Sequence, residues 1–251
     1  MNIAVISDVH GNRQALEAVI EDMSIYKPDH VVNLGDIVGY GGDPEWCVKR
    51  VSELASISVL GNHDAFAIRK TEMNMNHIAR QAVEWAAGQL SPESRSFLDS
   101  LQYYAQELDG KLGYVHSSLP NPEYFLYIMT KGHVSEHLKH QDNKLVFIGH
   151  SHSPDRWSTD GDDVFHIQPF YQENAIHDMD GPSNEKSVIN VGSVGQPRDY
   201  DPRASYAIIE IEGDEARITN RRVEYDIPSA QRRILEAGLP AVLAERIEFG
   251  R

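Results

Sequence analysis

Carboxylates and imidazoles in this chain follow short apolar runs. Asp8 and His10 stand two residues apart after the run Asn2 to Ser7. In extended backbone both point to one side, so both can reach one ion. A carboxylate with an imidazole suits Mn, Fe, Zn, Ni or Co better than the oxygen-only sites of Ca or Mg. Asp36 follows Val31 to Leu34 and a glycine, which makes it a carboxylate held at a strand tip. Gly61-Asn62-His63-Asp64 follows Ile57 to Leu60. There the Asn62 carboxamide oxygen is an adequate ligand, and His63 beside an ion is placed to donate a proton. Each fragment alone is also what a turn closing a strand looks like. What points to metal chemistry is the recurrence of an apolar strand followed by residues of ligand type.

These tips need a scaffold. Open α/β sheets place chemistry at the carboxyl ends of strands, where loops leave for a crevice. Arg13 to Ile25 reads as an amphipathic helix with Leu16, Val19, Ile20 and Met23 on one face. Asp43-Pro44 is a helix start, with the helix running to about Leu54. Asn76 to Gln89, and a second helix capped by Ser91-Pro92, form a helical insertion over about residues 65–101 beside the site. Lys111 to Val115 and Leu145 to Ile148 read as strands. Arg156 to Thr159 with Val164 to Ile167, and Ala204 to Ile211 with Glu215 to Asn220, read as hairpins. The polar stretch at about 169–186 predicts a mobile loop, Ser187 to Asn190 a strand, and 228–237 and 240–247 terminal helices. His133-Val134-Ser135-Glu136-His137 has the spacing of an inverted zinc-protease helix. It is short, polar and flanked by Lys131, Lys139 and His140, so it reads as a solvated helix face.

With 251 residues, 41% of them hydrophobic, the chain can bury a full core. Its formal charge of -15 argues against nucleic acid held on a basic face and against an anionic membrane surface. An anionic substrate stays possible, because bound divalent cations dominate the field of a site. The single cysteine, Cys47, forms no internal disulfide. No stretch approaches the ~20 apolar residues of a membrane span, and the start is too short and uncharged for a signal peptide. The expectation is a soluble, cytoplasmic protein; no oligomeric state is implied.

Asp8-Val9-His10, Gly35-Asp36 and Gly61-Asn62-His63-Asp64 together resemble the signature of calcineurin-like metallophosphoesterases. That family completes its pattern with an isolated histidine after a strand and a Gly-His-x-His. Here His116 and Gly149-His150-Ser151-His152 supply both, in the family's order. The resemblance implies one α/β (α+β) domain over residues 1–251, a four-layer αββα sandwich of two mixed sheets flanked by helices. It also implies two divalent metal ions (Mn, Fe, Zn, Ni or Co). One would be held by Asp8, His10, Asp36 and His152, the other by Asp36, Asn62, His116 and His150, with Asp36 bridging. A hydroxide shared by the ions would attack phosphorus in line, His63 would protonate the leaving oxygen, and Asp64 is a candidate to orient His63. A Gly-Ser-x-Gly-x-Pro-Arg segment ending at Arg198 extends the resemblance and makes Arg198 a phosphate-binding candidate.

One departure bears on substrate. Phosphoprotein phosphatases and symmetrical dinucleoside tetraphosphate hydrolases of the superfamily carry Gly-Asp-x-x-Asp-Arg-Gly. This chain has Gly35-Asp36-Ile37-Val38-Gly39-Tyr40-Gly41. Gly39 replaces the aspartate that orients the catalytic histidine, and Tyr40 replaces the phosphate-clamping arginine. A small phosphodiester or phosphomonoester fits better, with Tyr40 lining the pocket. The alternatives are a non-catalytic scaffold on the same fold and, less in keeping with the pattern, a zinc peptidase at His133 to His137.

Overall fold

The computed structural model describes residues 1–71, 75–167 and 175–251. In chain order its elements begin β1 (Asn2–Ile6), α1 (Arg13–Ser24), β2 (His30–Asn33), α2 (Pro44–Leu54), β3 (Ile57–Ser58), α3 (Asn62–Ala67), α4 (His77–Gln89) and α5 (Pro92–Ser100). Then come β4 (Tyr104–Glu107), β5 (Leu112–Val115), α6 (Lys131–Leu138), β6 (Leu145–Ile148), β7 (Asp155–Thr159), β8 (Val164–His166) and β9 (Ala175–Asp178). The last are β10 (Lys186–Asn190), β11 (Ala204–Glu212), β12 (Glu215–Val223), α7 (Ile227–Glu236) and α8 (Ala241–Glu248).

Two six-stranded mixed sheets result, ordered β3-β2-β1-β11-β12-β9 and β4-β5-β6-β10-β7-β8. Side chains alternate across each strand, and in β1, β2, β5, β6 and β10 both faces are buried. Ile3 and Val5 of β1 meet Phe147, Ile189 and Ile209 between the sheets, whereas Ala4 and Ile6 pack outward on Leu16 and Val19 of α1. Leu145 and Phe147 of β6 face the same inner core, and Val146 and Ile148 pack outward with Val134 of α6. Strands covered on both sides read as unbroken apolar runs, which is why they stand out in the sequence. Burying each such side chain contributes roughly 1.5–3 kcal/mol. The layers are therefore αββα. Strands β1, β2 and β3 run parallel, as do β5, β6 and β10, so the carboxyl ends of six strands supply loops to one place.

Several local expectations change. Residues 57–60 give only a two-residue strand, followed by a bridge from Val59 to Gln102. Asn62, His63 and Asp64 open helix α3 instead of lying in a loop. Asp43 precedes α2 without capping it, because its carboxylate takes a forked hydrogen bond from Arg233 of α7. Of the stretch expected to be a mobile loop, 169–174 lies outside the described residues, and Ala175–Asp178 forms a strand against β12. His137 is not on a solvated face: it is fully buried, and burial lowers its pKa to about 3. Among the described residues no helix is long and apolar enough to cross a membrane.

Candidate metal centre

Asp8 and His10 leave β1, Asp36 leaves β2, Asn62 and His63 open α3, His116 follows β5, and His150 and His152 follow β6. The loop after β10 closes the base: Val194 N–H donates to the Ser7 carbonyl (3.0 Å) and Gly195 N–H to the Asp8 carbonyl (2.9 Å). Asp8, His10, Asp36, Tyr40, His150 and His152 all have φ between 49° and 64°. Left-handed backbone costs a non-glycine residue on the order of 1–3 kcal/mol and clusters where function demands it. Two glycines let carboxylates meet backbone. At Gly149 a Cβ would lie 2.0 Å from Ser7 Oγ and 2.4 Å from Asp8 Oδ2; at Gly61 it would lie 2.2 Å from Asp36 Oδ1. Without those methyls, His150 N–H reaches Asp8 Oδ2 at 3.0 Å and His63 N–H reaches Asp36 Oδ1 at 2.8 Å. Gly149→Ala is therefore expected to cost about 1–3 kcal/mol of stability through overpacking. It should also weaken Mn²⁺ binding by displacing Asp8, both readable from thermal melts with and without the ion.

The ligand atoms of Asp8, His10, Asp36 and His152 lie within 4.8 Å of one another, as do those of Asp36, His116 and His150, and all are buried. Backbone carbonyls set the imidazole tautomers. Nδ1 of His10 donates to Val38 O (3.0 Å), Nδ1 of His116 to Leu34 O (2.8 Å) and Nδ1 of His152 to Gln196 O (2.6 Å). A neutral ring fixed this way presents a bare Nε2 to the interior. His10 Nε2 and His152 Nε2 stand 3.0 Å apart. Asp8 Oδ1, with no hydrogen-bond donor, lies 3.2 Å from His152 Nε2. Asp36 Oδ2 is 3.6 Å from His10 Nε2 and 3.5 Å from His116 Nε2. Asn62 Oδ1 and His150 Nδ1 are 3.1 and 3.2 Å from His116 Nε2. Acceptor atoms of several side chains thus converge in a buried space, an arrangement that divalent cations satisfy. In the ion-free chain burial works against charge on His116, but Asp36 and Asp8 outweigh it and raise its pKa to about 9. Burial likewise opposes the charge on Asp8 and Asp36, yet the surrounding imidazoles hold both below the ordinary carboxylate range. Burial lowers His150 to about 3. The donor set fits divalent transition metals.

His63 is buried, and its Nδ1 has no partner. Burial lowers its pKa to about 4, with Asp36 pulling the other way. Asp64 makes no hydrogen bond to Nδ1 of that ring. Asp64 Oδ1 accepts N–H bonds from Ile37 (2.9 Å) and Val38 (3.1 Å), so this carboxylate braces the Asp36 loop. Because α3 starts at Asn62, neighbouring side chains diverge by roughly 100°. A Cβ on Gly39 (φ +94°) would lie 2.3 Å from His63 Nδ1, so an acidic residue there would face the ring, and this chain has none. The Tyr40 ring lies 4.6 Å from both His10 and His63. Arg198 Nη2 donates to Tyr40 Oη (3.4 Å) and Gln196 Oε1 (3.0 Å), and its buried Nε has no partner. All the expected residues are thus brought together, with Asp64 behind the loop and not beside the ring. Two further aromatics border the centre: Phe125 stands edge-on to His116 at 5.9 Å and Tyr127 stacks on His150 at 3.9 Å. Their only sequence signal is the aromatic run at 124–129, which has no period of helix or strand.

A sequence profile of the calcineurin-like phosphoesterase superfamily domain matches residues 1–214. The chain is 36% identical over 252 residues to the uncharacterized protein MJ0912 of Methanocaldococcus jannaschii, covering 99% of this chain and 98% of that one. A metallophosphoesterase from Sphaerobacter thermophilus is 37% identical, with a TM-score of 0.82 over 100% of this chain and 99% of its own. The hypothetical protein PH1004 of Pyrococcus horikoshii OT3, at 18% identity and a TM-score of 0.75 over 100% and 98%, shares the fold. The profile spans every strand tip that carries a buried carboxylate or imidazole of this centre, and the relatives run the full length. On that agreement the chain belongs to the calcineurin-like phosphoesterase superfamily.

Proposed function

We propose that this protein is a phosphoester hydrolase that uses two divalent metal ions to cleave a small phosphodiester or phosphomonoester. The observation that carries the reading is the buried cage in which bare Nε2 atoms and carboxylate oxygens face one another around Asp36. Asp8, His10, Asp36 and His152 would hold one ion; Asp36, Asn62, His116 and His150 would hold the other. Bound there, ions of the Mn, Fe, Zn, Ni or Co type supply Lewis acidity to phosphoryl oxygens and acidify a water near neutral pH. The carboxylate of Asp36 belongs to both ligand groups and would be shared by the two ions, offsetting their mutual repulsion. Arg198, with donor capacity to spare, forks onto a phosphoryl oxygen. His63 hands a proton to the leaving oxygen. Tyr40 packs against His10 and His63 and keeps both rings from turning. With Gly39 in place of a carboxylate, no acidic side chain faces Nδ1 of His63, and burial keeps its proton affinity low despite the pull of Asp36. That favours substrates whose leaving group needs little protonation and counts against phosphoproteins, whose alkoxide leaves poorly, while Tyr40 in place of the phosphate-clamping arginine counts against dinucleoside polyphosphates. A cytoplasmic setting accords with the lone buried Cys47.

The test is direct. Purified protein loaded with Mn²⁺ should carry about two ions per chain, a count that follows from the two ligand groups. It should hydrolyse bis(p-nitrophenyl) phosphate or p-nitrophenyl phosphate and lose that activity to a chelator. A chain that binds its ions and turns over neither ester would be a scaffold on the same fold.

A further inference from the structure

Between β5 and α6 the chain passes the metal centre as Tyr124-Phe125-Leu126-Tyr127-Ile128-Met129. Phe125 and Ile128 are buried, while Tyr124, Leu126, Tyr127 and Met129 are exposed. Tyr127 lies flat on His150, with ring centroids 3.9 Å apart and planes 23° from parallel, yet it stays 46% exposed. One face of the phenol ring is therefore occupied by a residue of the centre, and much of the rest is open. The position is held from both sides. Leu119 N–H donates to His137 Nδ1 at 3.2 Å and Met129 N–H to His133 Nδ1 at 3.3 Å. The zinc-protease spacing on α6 thus serves as two staples for this loop, and Phe125, wedged edge-on against His116, is a third. On the same centre Arg198 bonds the Tyr40 hydroxyl at 3.4 Å.

We propose that Tyr127 is a specificity-determining residue, a fixed aromatic platform that stacks a flat ring carried by the phosphoester, a nucleobase or an aryl group. The phosphate then lies between the Asp/His cage and Arg198. This deepens the hydrolase reading and rests on it. Pre-ordering is what gives the platform its effect, since a stapled ring loses little freedom when a second ring covers it. An acidic chain of net charge -15 gains nothing from long-range attraction of an anionic substrate, so discrimination must come from such local contacts.

The experiment uses three diesters with the same ring-free leaving group: the 2,2,2-trifluoroethyl esters of methyl phosphate, benzyl phosphate and thymidine 5′-monophosphate. With Mn²⁺-loaded wild-type protein, kcat/KM for at least one ring-bearing ester should exceed that for the methyl ester by about tenfold, the range of one stacked base. Preference for both rings assigns a general aromatic platform; preference for the thymidine ester alone assigns a nucleobase. Tyr127→Ala should reduce the ring-to-methyl ratio to near one, and Tyr127→Phe should keep it. Calorimetric binding of thymidine 5′-monophosphate against methyl phosphate should show the same ratio and the same loss, independent of turnover. Equal kcat/KM on all three esters, or a preference that survives Tyr127→Ala, overturns the platform while leaving the hydrolase standing. No hydrolysis of any ester by the ion-loaded protein removes the hydrolase reading, and the platform with it.

Discussion

Asp36→Asn is expected to lower metal-dependent turnover by about 10³-fold or more while leaving the chain folded. The magnitude follows from what a bound ion contributes to a phosphoryl transition state, several kcal/mol of charge stabilisation. The carboxylate of Asp36 belongs to both ligand groups, so its loss weakens both at once, whereas a change at Asp8 or His150 would weaken one. The fold should not suffer. The Asn side-chain oxygen can still accept the His63 N–H that Asp36 Oδ1 now accepts at 2.8 Å. Its amide can donate toward the bare Nε2 of His10, now 3.6 Å from Asp36 Oδ2. The ion-free variant loses the attraction between Asp36 and the protonated His116 but keeps a hydrogen-bonding side chain of the same shape, so it should still unfold in one cooperative transition. What should vanish is the rise in melting temperature on adding Mn²⁺, because an ion stabilises only in proportion to its affinity for the folded chain. A variant that keeps both the Mn²⁺-induced shift and wild-type turnover would show that Asp36 bridges nothing.

The residues that converge were legible because of how they are placed. Asp8, His10, Asp36, His116, His150 and His152 follow strands covered on both faces, and such strands appear as apolar runs that end abruptly in polar residues. Gly61 and Gly149 were legible as part of the pattern, but their reason was not. It lies in Cβ positions that would strike Asp36 and Asp8, atoms supplied from other strands. The direction of the Asp64 side chain depended on α3 starting at Asn62, a boundary that no periodicity over so short a segment could mark. The carbonyls of Leu34, Val38 and Gln196 that set the histidine tautomers have no side-chain signal at all, since any residue offers one. His137 misled for a related reason. A polar segment of eight residues cannot show which single side chain its tertiary neighbours will cover, and here that one accepts a hydrogen bond from the loop bearing Tyr127. Tyr127 itself sits in a run where no strand or helix period sorts inner from outer positions, so only packing reveals that it meets His150.

His63→Ala should separate proton donation from ion binding. The His63 backbone N–H, not its ring, holds Asp36 Oδ1, and that bond persists whatever the side chain. Ion content should therefore match wild type. Turnover of a diester with an alkyl leaving group should fall about 10²–10⁴-fold, the usual contribution of a general acid. A nitrophenyl diester should lose much less, because nitrophenolate departs without a proton. The pH dependence has a definite sign. Burial lowers the His63 pKa to about 4, and donation requires the imidazolium. Its population falls tenfold for each unit of pH above that value. The ratio of wild-type to His63→Ala rate on the alkyl ester should accordingly shrink as pH rises from about 6 to about 9, while the nitrophenyl ratio stays nearly flat. Equal losses on both esters at every pH would mean that His63 acts by shaping the site and not by giving up a proton. That outcome would fit its unpartnered Nδ1 and the absence of any carboxylate at Gly39. It would also shift proton delivery to water, leaving leaving-group acidity as the main determinant of which phosphoesters this chain can cleave.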